Sequence, residues 1–72
     1  MNYLVMIEKG EDGQCSAYVP DLPGCIAMAD SVDQAWALIR EAIDAHIEEM
    51  RERGQPIPPP TSVGGTVHTD AA

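Results

Sequence analysis

The fold is decided by residues 31–54, which read SVDQAWALIREAIDAHIEEMRERG. Ser31 suits the N-cap of a helix, and Gln34 follows three residues later, as in a capping box. Gly54 provides a C-terminal stop, because glycine adopts the left-handed conformation that commonly ends a helix. The pattern predicts one helix over residues 32–53, roughly 33 Å long at 1.5 Å per residue.

Apolar residues recur in this helix at the three-and-four spacing of a single buried stripe. The stripe contains Val32, Ala35, Trp36, Ile39, Ala42, Ile43, Ile47 and Met50. A helix with one apolar face must bury that face against another element. We therefore expect this helix to pack across a sheet, with Trp36 in the core.

Three short apolar segments precede the helix and supply that sheet. They are residues 3–7 (YLVMI), 14–19 (QCSAYV) and 25–29 (CIAMA). The middle segment alternates between apolar and polar residues, which is typical of a half-buried strand. Because the connections are short, the segments predict an antiparallel meander.

Both connections contain turn residues, and together they set the strand register. Asp12-Gly13 is typical of a hairpin, and Pro23-Gly24 suits the centre of a type II turn. The resulting register places Cys15 opposite Ala29, so Cys15 and Cys25 share a face at a separation of roughly 13 Å. This separation is too long for a disulfide, whose Cα atoms lie within about 7 Å. We expect two buried, reduced thiols.

The segment after the helix is divided into two parts. Residues 55–60 (QPIPPP) favour an extended path, and residues 61–72 are small and polar. The latter form either a loose tail or a short edge strand around residues 66–69. The sequence thus predicts an α+β fold, a three- to four-stranded antiparallel sheet with one long helix on one face. Its domain would span residues 1–60.

Charge and length limit the classes of function. The 72-residue chain has 12 acidic and 4 basic residues, for a net charge of −8. A nucleic-acid binder needs a basic surface to displace counterions from phosphate, so we expect no direct DNA or RNA binding. An acidic field favours a basic protein partner, with simple solubility as the alternative.

A chain this short has a thin core, which favours a homo-oligomer. It shows neither a signal peptide nor a membrane span, and we expect it in the cytoplasm.

Candidate partner-binding residues lie at three places. Glu41, Asp44 and Glu48, with Glu52, form an acidic row on the exposed helix face. Such a row is commonly a solvated face with helical ion pairs, and a metal site is a further reading. Tyr18 lies on the strand face that the helix does not cover. The loop at Asp21, Leu22 and Pro23 is the third candidate, with Leu22 expected to be exposed. No spacing of Cys, His or Ser predicts catalytic residues, a metal site or a cofactor.

Three segments in combination resemble the HicB antitoxin family. They are PDLPGC at residues 20–25, the capped helix and GQPIP at residues 54–58, within a resemblance that covers residues 1–60. The resemblance implies a partial RNase H-like fold, β-β-β-α-β, and a HicA-like toxin as the partner. HicA is a small basic mRNA-cleaving protein whose active site the antitoxin blocks. Longer HicB proteins add a C-terminal DNA-binding domain, and residues 61–72 show no pattern of one.

The leading interpretation is therefore an antitoxin that binds and inhibits such a toxin and is not itself an enzyme. One alternative is an orphan oligomeric HicB-like module with an unknown ligand. The other is an RNase H-related hydrolase, which needs several carboxylates converging on two cations. The predicted strands carry carboxylates only at their ends, at Glu8 and Asp30. This distribution argues against the hydrolase.

Overall fold

A computed structural model describes residues 1–71 as a three-stranded antiparallel sheet followed by one helix. The strands β1 (Met6–Lys9), β2 (Cys15–Tyr18) and β3 (Ile26–Ala29) lie in that order across the sheet. The helix α1 spans Val32–Glu52. This β-β-β-α order confirms the predicted α+β fold. Within the described residues, the segment after α1 forms no fourth strand.

The register of the sheet follows the prediction. Cys15 pairs with Ala29, and the Val19 N–H donates to the Cys25 carbonyl oxygen over 3.2 Å. Both cysteines are buried and free, as expected from their separation along the strands. The first strand differs in its bounds, since it begins at Met6 and not at residue 3.

A proline explains where the β1–β2 ladder ends. Met6 pairs with Tyr18, so the next pair toward the N-terminus on the same face would join Leu4 to Pro20. Proline has no N–H to donate to a ladder. The pairing therefore ends at Met6 and Tyr18. At its other end, the ladder extends to Lys9, which lies opposite Cys15.

The two turns have the geometry that their residues predict. Gly13 has a φ of 84° in the β1–β2 connection, where the Gly13 N–H donates to the Gly10 carbonyl oxygen. In the β2–β3 connection, the Cys25 N–H donates to the Leu22 carbonyl oxygen over 3.1 Å, and Gly24 has a φ of 85°. These are the bond and the positive φ of a type II turn.

Both ends of α1 are capped. The Ser31 hydroxyl accepts from the Gln34 N–H over 3.1 Å. The Gln34 side chain accepts a hydrogen bond from the Asp30 N–H. In a capping box it would accept from the N–H of the N-cap itself, which is one residue later. At the other end, the Gly54 N–H donates to the Arg51 carbonyl oxygen, and the Gln55 N–H donates to the Met50 carbonyl oxygen. This pair of bonds is a Schellman motif.

Small side chains dominate the core between α1 and the inner face of the sheet. The buried residues are Cys15, Ala17, Val19, Leu22, Cys25, Ala29, Ala35 and Ile39. Partly buried Ile43 and Ile47 pack against them, as predicted. The sheet presents the small side chains of Ala17 and Ala29 to the helix, and Ala35 of α1 is completely buried.

The prediction that Trp36 lies in the core is wrong. Trp36 is 46% exposed, whereas Ala35 and Ile39 on either side of it along the stripe are buried. The helix contacts mainly β3 and β2 and barely reaches β1. Trp36 lies about 100° around the helix from the fully buried Ala35, which places its indole at the flank of the stripe.

Candidate protein-binding surfaces

The acidic row comprises Glu41, Asp44, Glu48 and Glu52, and all four side chains are exposed on α1. Their spacing of three or four residues puts them on one side of the helix. The one carboxylate–arginine ion pair in residues 1–71 joins Glu49 to Arg53 over 2.7 Å, and it lies outside the row. The four carboxylates of the row therefore face solvent without an ion pair to arginine or lysine among residues 1–71.

A groove connects the acidic row to the N-terminal segment. It has a volume of about 440 Å³. Its lining residues are Met1, Tyr3, Ile43, Asp44, Ile47, Glu48 and Arg51. Tyr3 is fixed there because its hydroxyl donates to the Pro58 carbonyl oxygen. This N-terminal groove combines apolar side chains with two carboxylates of the row and with Arg51. This groove could not be predicted from the sequence, because residues 1–3 and 43–51 meet only in the folded chain.

The β2–β3 loop does not present the residue that the sequence predicted. Leu22 is 1% exposed and belongs to the core, so the expectation of an exposed leucine is wrong. Its backbone is fixed by the turn, and its side chain points into the space beneath Val19 and Cys25, with which it shares the core cluster. Pro23 is exposed. The loop therefore exposes Pro23 to solvent, while Leu22 stabilises the fold.

Asp21 fixes the chain that follows the helix. Its carboxylate accepts from both backbone N–H groups of Thr61 and Ser62, over 2.9 and 2.8 Å. It also accepts from both hydroxyls, over 3.1 and 2.8 Å. The bonds from Ser62, followed by those from Thr61, lower the pKa of Asp21 to about 2. The carboxylate is already fully engaged, so its role in this structure is to hold residues 61–62.

The outer face of the sheet, which faces away from α1, carries most of the exposed apolar strand residues. Residues directly opposite one another share a face, which assigns Met6, Glu8, Ser16, Tyr18, Ile26 and Met28 to this outer face. The Tyr18 hydroxyl donates to Glu8 Oε1 over 3.3 Å. Tyr18 also lines a depression of about 360 Å³ with Pro23 and Ile26. Tyr18 and Pro23 are thus brought together.

The two groups of candidate residues lie on different sides of the molecule. The acidic row is on α1, which covers the inner face of the sheet, whereas Tyr18 is on the outer face. A partner docked on the row would leave the outer face free. The molecule thus has one acidic surface and one apolar surface that can be occupied together.

Metal binding and nucleophilic chemistry find little support in the side chains. Among residues 1–71, no group of three or more His, Cys, Asp or Glu side chains is placed to hold a metal ion. Burial raises the pKa of the Cys25 thiol, which disfavours the thiolate that a nucleophile requires. The same residues contain no helix with the length and apolar character needed to cross a membrane.

Fold and surfaces together define a small α+β module with an acidic helix and an apolar sheet face. The chain belongs to the HicB-like antitoxin family, described as HicB_like antitoxin of bacterial toxin-antitoxin system, which matches residues 3–71. Membership implies a toxin as the binding partner in general terms.

The relatives include proteins of similar length from archaea and bacteria. A UPF0150 protein of Thermoplasma acidophilum is 40% identical over 68 residues, which cover 94% of this chain and 99% of the relative. A UPF0150 protein of Synechocystis is 40% identical over 57 residues, covering 79% of this chain and 72% of the relative. A 14.9 kDa protein of Haemophilus phage HP1 is 41% identical over 58 residues, which span 81% of this chain but only 43% of the phage protein.

Proposed function

We propose that this protein binds a small basic mRNA-cleaving toxin of the HicA type in the cytoplasm and suppresses its cleavage of RNA. The observation that carries the proposal is the unneutralised acidic row on α1, in a chain of net charge −8 that belongs to an antitoxin family. Opposite charges speed the encounter of two proteins and orient them before contact. The protein itself acts by occupying a surface and catalyses nothing.

The acidic row and the adjoining groove form the proposed toxin-binding surface. Asp44 and Glu48 line the groove together with the apolar side chains of Ile43 and Ile47 and with Arg51. A lysine or arginine side chain has an apolar stem and a charged end, so it matches both features. Basic residues are also what a ribonuclease uses to hold phosphate, and covering them would block RNA binding.

The outer face of the sheet is the proposed site of self-association. Only Glu8 is charged among its six side chains, whereas the chain as a whole is strongly acidic. Two copies can therefore meet through this face without bringing many like charges together. An orphan oligomeric module would keep this dimer and bind a ligand other than a toxin. An RNase H-related hydrolase lacks support because no suitable carboxylate cluster occurs among residues 1–71.

The decisive experiment is co-expression with the product of the neighbouring gene, where that gene encodes a short basic protein. We expect the neighbour to arrest growth alone and to be neutralised by this protein. If the neighbour is harmless, or equally toxic in the presence of this protein, the antitoxin proposal fails and the orphan module replaces it.

Charge-reversal variants locate the binding surface. The double variant Asp44→Lys/Glu48→Lys should lower the association rate with the toxin at least tenfold, because it removes attraction and adds repulsion at the groove. The control is Glu11→Lys/Asp33→Lys, which changes the net charge equally at exposed sites away from the groove. Circular dichroism should show that both variants are folded. Equal slowing by both variants would mean that net charge acts alone and that the groove is not the docking site.

A further inference from the structure

The residues after Ser62 form an arm, residues 63–71, that lies outside the core of its own chain. All of them are exposed and none is in a helix or strand. Val63 is 95% exposed and Val67 is 92% exposed, more than any other large hydrophobic residue described. The Cα radius of gyration is 14.1 Å, compared with about 11 Å for a compact chain of this length. The arm therefore extends away from the body of the protein.

The start of the arm is fixed, although its end is free. Thr61 and Ser62 are held by the Asp21 carboxylate through four hydrogen bonds. Gly64 lies against Leu4, so closely that a Cβ atom at residue 64 would be 3.2 Å from Leu4 Cδ1. Leu4 lies two residues before Met6, where β1 begins, so the arm leaves the molecule on the β1 side of the sheet. β2 separates that side from β3.

The two edges of the sheet differ in how well they are protected. β1 carries Glu8 and Lys9, and charged residues on an edge strand discourage pairing with another chain. β3 reads Ile-Ala-Met-Ala and contains no charged residue or proline. Its outer-face residues Ile26 and Met28 are exposed, and within residues 1–71 only β2 pairs with it. β3 is therefore the edge that is open to an added strand.

We infer that the arm of one copy pairs as a fourth strand along the β3 edge of a second copy, in a reciprocal exchange. The inference rests on the self-association part of the proposed function. In a strand, Val63 and Val67 point to the same side, and the pairing places Val67 beside Ile26 and Met28 of the other copy. Backbone bonds to a free edge supply affinity, and the apolar side chains supply register.

Symmetry and length both permit this exchange. A twofold axis parallel to the strands, between two facing outer surfaces, places β1 of one copy opposite β3 of the other. Sheets that pack face to face are about 10 Å apart, and nine extended residues span about 30 Å. The arm can cross the gap and still pair over the length of β3. Its own β3, by contrast, lies on the far side of the sheet from Leu4.

Charge identifies the occupant of the β3 edge as a second copy and not the basic toxin. Residues 63–69 contain no Asp, Glu, Lys or Arg, and neither does β3. A basic partner would gain nothing electrostatically from either segment. A second copy of an acidic protein, however, would be repelled almost anywhere else on the surface. The neutral arm and the neutral edge therefore fit each other.

The test is the mass in solution, measured by sedimentation equilibrium at micromolar concentration without any toxin. The intact protein should have twice the 7.7 kDa mass of one chain. A variant that ends at Ser62, which retains the bonds to Asp21, should remain folded and dissociate at least tenfold more readily. If the intact protein is a monomer, both the dimer and the exchange are wrong. If the shortened variant dimerises as tightly as the intact protein, the exchange is wrong and the dimer stands. Neither result bears on the toxin-binding test.

Single substitutions distinguish specific pairing from a general effect of the arm. Val67→Lys should weaken the dimer at least tenfold, while Thr66→Lys, which points to the other side of the strand, should change it less than threefold. Equal effects would overturn the proposed register. Mixing Val67→Cys with Met28→Cys under mild oxidation should produce a disulfide-linked pair of chains. Failure to crosslink while the dimer persists would overturn the pairing with β3.

Discussion

Replacing Leu22 by alanine is a direct test of the correction that the structure makes to the loop. Leu22 is 1% exposed and is one of the two largest fully buried side chains. The substitution deletes three carbon atoms, worth about 2.4 kcal/mol at about 0.8 kcal/mol for each buried CH₂. The cavity left behind adds to this loss, and leucine-to-alanine changes in cores cost about 2–5 kcal/mol in total. We expect the free energy of unfolding to fall by about 3–4 kcal/mol.

That loss is large for a protein of this size. At about 0.05–0.15 kcal/mol per residue, a 72-residue domain has a free energy of unfolding of about 4–11 kcal/mol. Leu22→Ala therefore removes about a quarter of the total stability or more. Urea unfolding followed by circular dichroism, at a single protein concentration, measures the change.

The control is Pro23→Ala, one residue further along the same loop. Pro23 is exposed, so its replacement loses little packing and mainly frees the unfolded chain, which costs about 0.4–1 kcal/mol. If Leu22→Ala costs no more than Pro23→Ala, Leu22 is not in the core and the packing of the loop described above is wrong.

Three further predictions concern the helix cap, the Asp21 link and the acidic surface. Ser31→Ala removes the acceptor of the Gln34 N–H and should lower the free energy of unfolding by about 1 kcal/mol; an unchanged urea midpoint would contradict the cap. The folded pKa of Asp21, about 2, is below its ordinary value of 3.8, so its contribution to stability is complete above about pH 4 and is lost as the pH falls through 2. Asp21→Asn should accordingly flatten the acid limb of the unfolding curve between about pH 4 and pH 2, and an unaltered limb would show that the link does not act in solution. The rate of association with a basic toxin should fall as salt rises from about 0.05 to 0.5 M, because exposed charges are screened beyond about 10 Å at 0.1 M. If stopped-flow measurements give an association rate that does not depend on salt, electrostatic steering is not the cause of the fast association.

The features that the sequence predicted correctly are determined by neighbouring residues. Ser31 and Gln34 lie within one helical turn, and the type II turn depends on the φ values of Pro23 and Gly24 alone. The register followed from the length of the β2–β3 connection, which placed Cys15 opposite Ala29. Each of these relations is local, so the residue types were sufficient to predict it.

The features that the sequence predicted wrongly depend on what lies across the core. Trp36 has the correct spacing for the buried stripe, but it lies about 100° around the helix from the fully buried Ala35 and so remains at the flank of the stripe. Leu22 lies in a loop, where apolar residues are often exposed, and only the core cluster that it forms with residues such as Val19 and Cys25 in the folded chain buries it. The groove and the Asp21–Ser62 link also join residues that are distant in sequence, and no periodicity reports on such pairs.

The link from Asp21 to Thr61 and Ser62 also affects the order in which the chain can complete its fold during synthesis. Asp21 is 40 residues from Thr61 and 41 residues from Ser62 in the sequence, and the whole of α1 lies between them. On the ribosome, the strands and most of the helix emerge while the Asp21 carboxylate still faces water, and only the later arrival of residues 61–62 engages it. Closing so long a loop has an entropic cost. This cost is lower once the helix has docked on the sheet, because the helix then brings residues 61–62 near Asp21. The arm is therefore positioned for exchange only after the rest of the domain has assembled, which delays pairing between nascent chains.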